Sequence, residues 1–250
     1  MMNILLLFSG SDTSFRESGY EYPKNLIEIN GKPLLQNVLE SLDSNILKNN
    51  KLIFAIKKEE IDRYHTSMVA KLLYPKATII SVPNATAGAV CTALLAVEYI
   101  DNDEPLLIVN GDIIIQRPLE PIIASFKNSD ADGGAITFQS VHPRWSYVKC
   151  DETGIIIEAA EKRPISRMAT AGIYYYKRGD DFVSASKELI KKNAQTDGKF
   201  YICPVFNEMI LKQKKLRIFE IESKCYFSLA TPKGIESYQK AIAPERNTVI

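Results

Sequence analysis

Four cysteines, two histidines and one tryptophan in 250 residues leave little material for several common chemistries. Cys91, Cys150, Cys203 and Cys225 are widely spaced, with no CxxC and no histidine at ligand spacing. That pattern argues against a zinc site or a disulfide framework and fits reduced thiols in a cytoplasmic protein. His65 falls in a helical-looking stretch and His142 precedes Pro143, and neither neighbours a Ser or Cys in a nucleophile motif. A hydrolase triad therefore has no support. Charge of one sign is also lacking, since 31 Lys+Arg offset 30 Asp+Glu for a net +1. A nucleic-acid binder working through overall charge is not expected. No apolar run approaches a membrane span, and Ile4–Phe8 is too short and lacks the basic flank of a secretory signal. The expectation is a cytoplasmic globular protein with neither nucleic-acid nor membrane partners.

What is present is a strand–helix rhythm. Asn3–Phe8 is a nearly continuous apolar run, as in a parallel strand buried on both faces. Lys51–Ile56, Ala77–Val82 and Pro105–Val109 read as further strands, with helices predicted over Pro33–Leu42, Lys58–Leu73 and Gly88–Tyr99. The second half holds short strands rich in aromatic and β-branched residues at Gly133–Gln139, Trp145–Lys149, Gly154–Glu158 and Thr170–Tyr176. Helices at Asp180–Asn193 and Pro204–Lys212, a strand at Leu216–Ile221 and a helix at Thr231–Ala243 complete it. The pattern predicts an α/β protein: a Rossmann-like, doubly wound mixed sheet with helices on both faces and a smaller β-rich lobe. A single domain spans 1–250, divided into a half over 1–128 and a half over 129–250.

In such sheets a ligand sits beyond the carboxyl ends of the strands. The segments there are Ser9–Lys24, Pro83–Gly88 and Asn110–Asp112. The small-residue loop Ser9-Gly10-Ser11-Asp12-Thr13-Ser14 lets backbone N–H groups turn towards a phosphate, although it is neither GxxxxGK nor GxGxxG. Pro23 stiffens the approach to Lys24, which can aim a cation back at the site. Thr86-Ala87-Gly88 suits either N-capping of a helix or close approach of a ribose or base. Asp112, at a strand's carboxyl end, is well placed to hold Mg2+ against a triphosphate, and an Asn-Gly turn is the plainer alternative. Asp101-Asn102-Asp103 precedes its strand and belongs at the opposite end of the sheet.

Together the loop, Pro23-Lys24, the phrase Leu26-Ile27-Glu28-Ile29-Asn30-Gly31-Lys32-Pro33-Leu34 and Asn110-Gly111-Asp112 resemble the sugar-phosphate nucleotidylyltransferase family. Glucose-1-phosphate thymidylyltransferases and capsule or surface-polysaccharide cytidylyltransferases belong to it. Ser146-Tyr147-Val148-Lys149, Glu161-Lys162, Ala171-Gly172-Ile173-Tyr174 and Leu229-Ala230-Thr231-Pro232 are similar to its later segments. His142–Ser146 resembles the His-Pro-x-Trp-Ser segment carried by bacterial capsule-cluster members. The resemblance implies a transfer in which an acceptor phosphate attacks the α-phosphorus of a nucleoside triphosphate and pyrophosphate leaves. It implies Lys24 and Asp112 as catalytic, with Mg2+ held by Asp112; where the chain departs from the family, Arg16 is read as a substitute cation and Asp12 as a candidate second metal ligand. The nucleotide falls to Phe8, Ser9, Gly10, Ser11, Asp12, Asn84, Thr86, Gly88 and Asn110. The phosphorylated acceptor falls to Tyr147, Glu161, Lys162 and Gly172. CTP is favoured over UTP or dTTP, a role in capsule precursor synthesis is implied, and a homo-oligomer is allowed.

The chain departs from the family where the loop has Asp12 for a second glycine and Ser14 for an arginine. Ser228 stands where a second metal-binding Asp is common. A carboxylate gained beside a triphosphate costs about 1 kcal/mol or more at a few ångströms. Either Asp12 serves as the missing metal ligand, or the chain is a catalytically impaired binding or regulatory relative. A third class, the GT-A-type glycosyltransferases, needs Asp-x-Asp after the fourth strand, and this chain is one carboxylate short there.

Overall fold

Strand β1 (Asn3–Phe8) runs through the middle of the molecule, every residue buried, as its unbroken apolar sequence requires. The computed structural model describes residues 1–83 and 85–243 of the chain. After β1 come α1 (Thr13–Glu17), the short hairpin β2 (Glu28–Ile29) and β3 (Lys32–Pro33), α2 (Leu34–Glu40) and α3 (Ser44–Lys48). Then follow β4 (Lys51–Lys57), α4 (Lys58–Tyr64), α5 (Thr66–Leu73), β5 (Thr78–Val82), α6 (Ala89–Leu94), α7 (Val97–Ile100) and β6 (Leu106–Asn110). The second half contains β7 (Ile113–Ile115), α8 (Leu119–Asn128), β8 (Gly133–Gln139), β9 (Ser146–Cys150), β10 (Ile156–Glu161) and β11 (Met168–Tyr176). It closes with α9 (Gly179–Lys191), α10 (Val205–Leu211), β12 (Leu216–Ile221), β13 (Tyr226–Ser228) and α11 (Pro232–Ile242).

Among the described residues nine strands form one mixed sheet, in the order β10-β9-β11-β6-β1-β4-β5, with β8 pairing β11 and β12. Strands β6, β1, β4 and β5 are parallel, and β11 joins β6 antiparallel. The chain winds outward from β1 through β4 to β5, then returns to place β6 on the other side of β1. The switch of winding direction therefore lies between β1 and β6, where α/β sheets open a crevice.

Alternate residues of β1 serve two separate cores. Ile4, Leu6 and Phe8 face one cluster, packed by Leu34, Leu35 and Val38 of α2 and by Ile122 and Phe126 of α8. Leu5 and Leu7 face the other, packed by Val90 and Ala93 of α6, Phe182 of α9 and Phe206 of α10. Helices thus cover both faces, as the pattern predicts, and the second-half strands extend the first-half sheet.

Local departures have local causes. The helix predicted over Lys58–Leu73 is two helices, because His65 adopts φ 55° and ends α4. Gly88–Tyr99 is likewise broken, at Leu95–Ala96. The sequence reading places no helix at 119–128. One forms there, burying Leu119, Ile122, Ile123 and Phe126 at helical spacing. The closing helix is capped as expected: Thr231 Oγ1 accepts from the Gly234 N–H, with Pro232 at the first turn.

Candidate active site

Two cavities open at the switch point, and both are walled by Ala89, Asn110, Asp112 and Tyr201. The larger, about 740 Å3, is lined by Ser9, Gly10, Ser11 and Asp12 after β1, by Lys57 and Glu59 after β4, by Pro83, Ala85, Thr86 and Gly88 after β5, and by Lys199. The smaller, about 200 Å3, is lined by Arg144, Trp145 and Ser146, by Glu161, Thr170, Gly172 and Tyr174, and by Tyr226, Ser228 and Ala230. The three segments singled out from sequence therefore converge. Asp101–Asp103 does lie at the other end, where Asn102 accepts from the Asn3 side chain at the start of β1.

Asp112 stands where the two cavities meet. Its backbone is fixed twice over: the preceding Gly111 N–H donates to Leu7 O at 3.1 Å, and the Leu229 N–H donates to Asp112 O at 2.7 Å. Gly111 is required there, since a Cβ would come within 2.6 Å of the Phe8 ring and 2.7 Å of Leu7 O. Lys24, buried in a 3₁₀ turn after Pro23, donates from Nζ to Asp112 Oδ2 at 2.7 Å. The sequence places this cation at the site, and the structure holds it against Asp112, close beside Gly10, and not on either cavity wall.

Asp12 is also paired. Lys57 Nζ donates to its Oδ1 and Arg16 Nε to its Oδ2, each at 3.1 Å. Burial pushes the Asp12 carboxyl up, but the two cations outweigh it and hold the group below its ordinary value. Behind this pair lies buried Glu60, 3.8 Å from Lys57 and accepting from Asn25 Nδ2 at 2.8 Å. Burial raises the Glu60 carboxyl, with the Asn25 bond and the Lys57 charge opposing.

Several expected residues are placed elsewhere. The Phe8 side chain does not face the larger cavity, because period two along β1 sends its ring into the core against Phe54 and brings Leu7 to the cavity wall. Arg16 lines neither cavity; its guanidinium sits on the surface between Asp12 and Glu59. Thr86 does not cap α6, whose N-cap is Gly88, and its hydroxyl instead bonds Gly88 O and Thr92 Oγ1. Tyr147 is fully buried in the core and donates from its hydroxyl to His142 O, while its neighbour Ser146 faces the smaller cavity. Lys162 turns away at φ 54°, with Nζ 2.8 Å from Asp197 and over the Tyr201 ring. It forms no pair with Glu161, which is half-buried, takes the Ser146 hydroxyl, and is raised by desolvation with that bond opposing. Asn84 lies outside the described residues.

Gly172 does reach the smaller cavity. A register shift in β11 sets it at φ 75°, and a Cβ there would lie 2.6 Å from Asn110 Nδ2. The residues missed from sequence are Lys57, Lys199, Tyr201 and Arg144. Lys57 could have been found by inspecting the carboxyl end of β4 as well as β1, β5 and β6. Lys199 and Tyr201 arrive through the segment around Phe200, which pairs main chain to main chain with Ala87 and Val90.

The donor set suits a magnesium ion in one way. Asp112 offers a carboxylate beside the larger cavity, and Mg2+ commonly takes one or two carboxylates plus substrate phosphates and water. Ser228, drawn to Ile113 by the β13–β7 pairing, supplies only a hydroxyl, and both Asp12 oxygens already accept from cations. No group of three or more His, Cys, Asp or Glu side chains able to hold a metal occurs among the described residues.

A doubly wound sheet with a small-residue loop, a lysine and an aspartate at its switch point defines an α/β nucleotide-binding fold. The chain belongs to the nucleotidyl transferase family, whose pattern matches residues 4–215. It is 30% identical over 181 residues to the bifunctional protein GlmU of Methanocaldococcus jannaschii, across 70% of this chain and 40% of that protein. It is 26% identical to the mannose-1-phosphate guanylyltransferase catalytic subunit beta of Dictyostelium discoideum, across 70% of this chain and 49% of the relative. The chain thus spans about half, or less, of the curated relatives it matches. In fold it is similar to a nucleoside-diphosphate-sugar pyrophosphorylase from Vibrio cholerae RC9, with TM-score 0.82 and 23% identity over 96% of this chain and 100% of that one. The inositol-1-phosphate CTP transferase from T. maritima shares the fold at TM-score 0.72 and 12% identity, over 96% and 94% of the two chains.

Proposed function

We propose that the chain joins a nucleoside triphosphate to a phosphorylated small molecule, in the class of sugar phosphates, with release of pyrophosphate. The observation that carries this reading is the meeting of two cavities of unequal size at Asp112. The larger suits the nucleotide and the smaller the phosphorylated acceptor. The halves over 1–128 and 129–250 then supply most of the nucleotide and acceptor contacts respectively, with Lys199 and Tyr201 crossing from the second half to the first.

In this reaction an acceptor phosphate oxygen bonds to the α-phosphorus, the bond from that phosphorus to its bridging oxygen breaks, and pyrophosphate departs with the electron pair. The nucleophile is already an anion, so no histidine base is needed, and catalysis rests on alignment and neutralised charge. The Ser9–Ser11 backbone and the Thr86–Gly88 segment hold the nucleotide. Lys57 and Lys199 place positive charge on the larger cavity where the family's loop arginine is missing. Lys24 exchanges Asp112 for the α-phosphate. Asp112 would hold Mg2+, which would supply further neutralisation of charge on the triphosphate. Asp12, Glu59 and Asp112 line this cavity together with two lysines, Lys57 and Lys199, which favours the metal complex of the triphosphate over the bare anion.

CTP is the favoured base, UTP and dTTP being the others, and the family resemblance points to surface-polysaccharide precursors made in the cytoplasm. The test is pyrophosphate release from each triphosphate with Mg2+ and a panel of sugar phosphates. Release that requires both substrates supports the reading, and nucleoside diphosphate from a nucleotide sugar instead of pyrophosphate would replace it with glycosyl transfer. One observation favours a second reading: both site aspartates are already matched by lysines, Asp12 by Lys57 and Asp112 by Lys24. A binding or regulatory relative would be stabilised by a triphosphate while releasing no pyrophosphate with any acceptor.

A further inference from the structure

We propose that Arg144, stacked on Trp145, holds the phosphate of the acceptor. The inference rests on the nucleotidyltransferase reading and deepens it, since it assigns the acceptor's anionic group to a residue outside the segments expected to bind it.

Among the described residues Arg144 is the one cationic side chain lining the smaller cavity. The lysine expected there, Lys162, is committed to Asp197 at 2.8 Å. Its neighbour Arg163 pairs with Glu158, whereas Arg144 pairs with none of the described carboxylates. The guanidinium carbon lies 4.2 Å from the centre of the Trp145 ring. Stacking of that kind fixes the plane of the fork and leaves its N–H groups at the rim free for an anion. A planar fork on an aromatic face binds phosphate bidentately, which a mobile lysine does not.

The segment that carries Arg144 is pinned from behind. The Arg144 N–H donates to His142 Nδ1 at 3.2 Å, and the Trp145 N–H donates to His142 O at 3.3 Å. The same carbonyl accepts the buried Tyr147 hydroxyl at 2.7 Å. The Lys162 N–H closes the other side by donating to Trp145 O at 3.0 Å. Tyr147 is thereby a positioning residue, acting on the acceptor through the loop it anchors.

The cation is also near the reacting position. Asp112, Arg144 and Tyr226 all line the same cavity of about 200 Å3. A phosphate held by Arg144 is accordingly delivered towards Asp112 and the α-phosphorus. Glu161, on the wall of the same cavity, is left for donor groups of the acceptor's organic part.

Trp145 is the only tryptophan in the chain, so its fluorescence reports on this cavity directly. The experiment titrates inorganic phosphate against the full chain, reading tryptophan fluorescence and the heat of binding in parallel. It also records the thermal shift given by each triphosphate with Mg2+. The wild type should bind phosphate saturably, and Arg144→Gln should weaken that binding about tenfold or more, as expected for losing a charge-assisted pair. Its triphosphate shift should be unchanged. Tyr147→Phe should weaken phosphate binding by less, again without altering the triphosphate shift, and Arg144→Lys should restore part of the loss. Equal phosphate affinity in the wild type and Arg144→Gln overturns the proposal, as does the absence of phosphate binding by both readouts. Equal loss of phosphate and triphosphate binding also overturns it, by assigning Arg144 to the nucleotide. A wild type that binds phosphate through Arg144 but is stabilised by no triphosphate instead removes the nucleotidyltransferase reading beneath it.

Discussion

Lys24 and Asp112, 88 positions apart in sequence, meet as a 2.7 Å ion pair beside Gly10, with Lys24 almost wholly buried. The pair couples the nucleotide loop to the carboxyl end of β6. Lys24→Ala should lower pyrophosphate release by about a hundredfold or more, in keeping with loss of a positioned charge at a transferring phosphoryl group. Asp112→Asn should abolish release and also lower stability by about 1–3 kcal/mol, because it leaves a buried ammonium short of its charge partner. Urea unfolding of both variants separates the two effects.

Asp12 gives the contrasting case. Its carboxylate is matched by Lys57 and Arg16, so the account assigns it no metal. Asp12→Asn should therefore leave the Mg2+ concentration for half-maximal activity within about twofold of wild type, and should lower the KM for the triphosphate by removing a nearby like charge. A large increase in the Mg2+ requirement would return Asp12 to the metal site.

Stability should carry the imprint of two desolvated acids. Glu60 and Glu161 have carboxyls raised above the ordinary 4.5, chiefly by burial. The folded state then holds protons that the unfolded state has released. The stabilising contribution is complete below 4.5 and is lost as pH rises through the raised folded values. Glu60→Gln removes that loss while still accepting from Asn25. Its melting temperature relative to wild type should rise as pH increases from about 4.5 towards neutrality, levelling once the folded-state carboxyl has ionised. A difference that is flat across this window would contradict the burial argument.

The junction between the cavities depends on one backbone feature. Gly172→Ala puts a Cβ 2.6 Å from Asn110 Nδ2 at φ 75°. It should cost about 1–3 kcal/mol of stability from backbone strain and displace Asn110. The KM for the acceptor should rise more than the KM for the triphosphate, which steady-state kinetics would show.

How much of this was legible in the sequence follows from what each signal measures. β1 and the Asn110–Asp112 turn were readable because a doubly buried parallel strand is an apolar run and its end is marked by Asn-Gly. Phe8 and Tyr147 were misplaced by one residue each. Family motifs locate a strand, but the face a side chain takes depends on a period of two, so Leu7 and Ser146 line the cavities instead. Lys57 was missed because it begins a Lys/Glu-rich run that resembles a solvated helix. Arg144 and Ser228 are set by pairings no local pattern contains, namely the Tyr147–His142 bond and the β13–β7 ladder. Lys162 was drawn away by Asp197, a loop residue 35 positions later.

The most direct measurement of the central claim is the thermal stability of the full chain titrated with CTP, UTP, dTTP, ATP and GTP, each with and without Mg2+. A ligand that binds only the folded state adds about 2.7 kcal/mol at a hundred times its Kd. The account predicts that at least one pyrimidine triphosphate raises the melting temperature saturably, more with Mg2+ than without, and that Asp112→Asn removes the Mg2+ increment. No shift with any triphosphate at millimolar concentration, or a shift indifferent to Mg2+ and to Asp112, would contradict it.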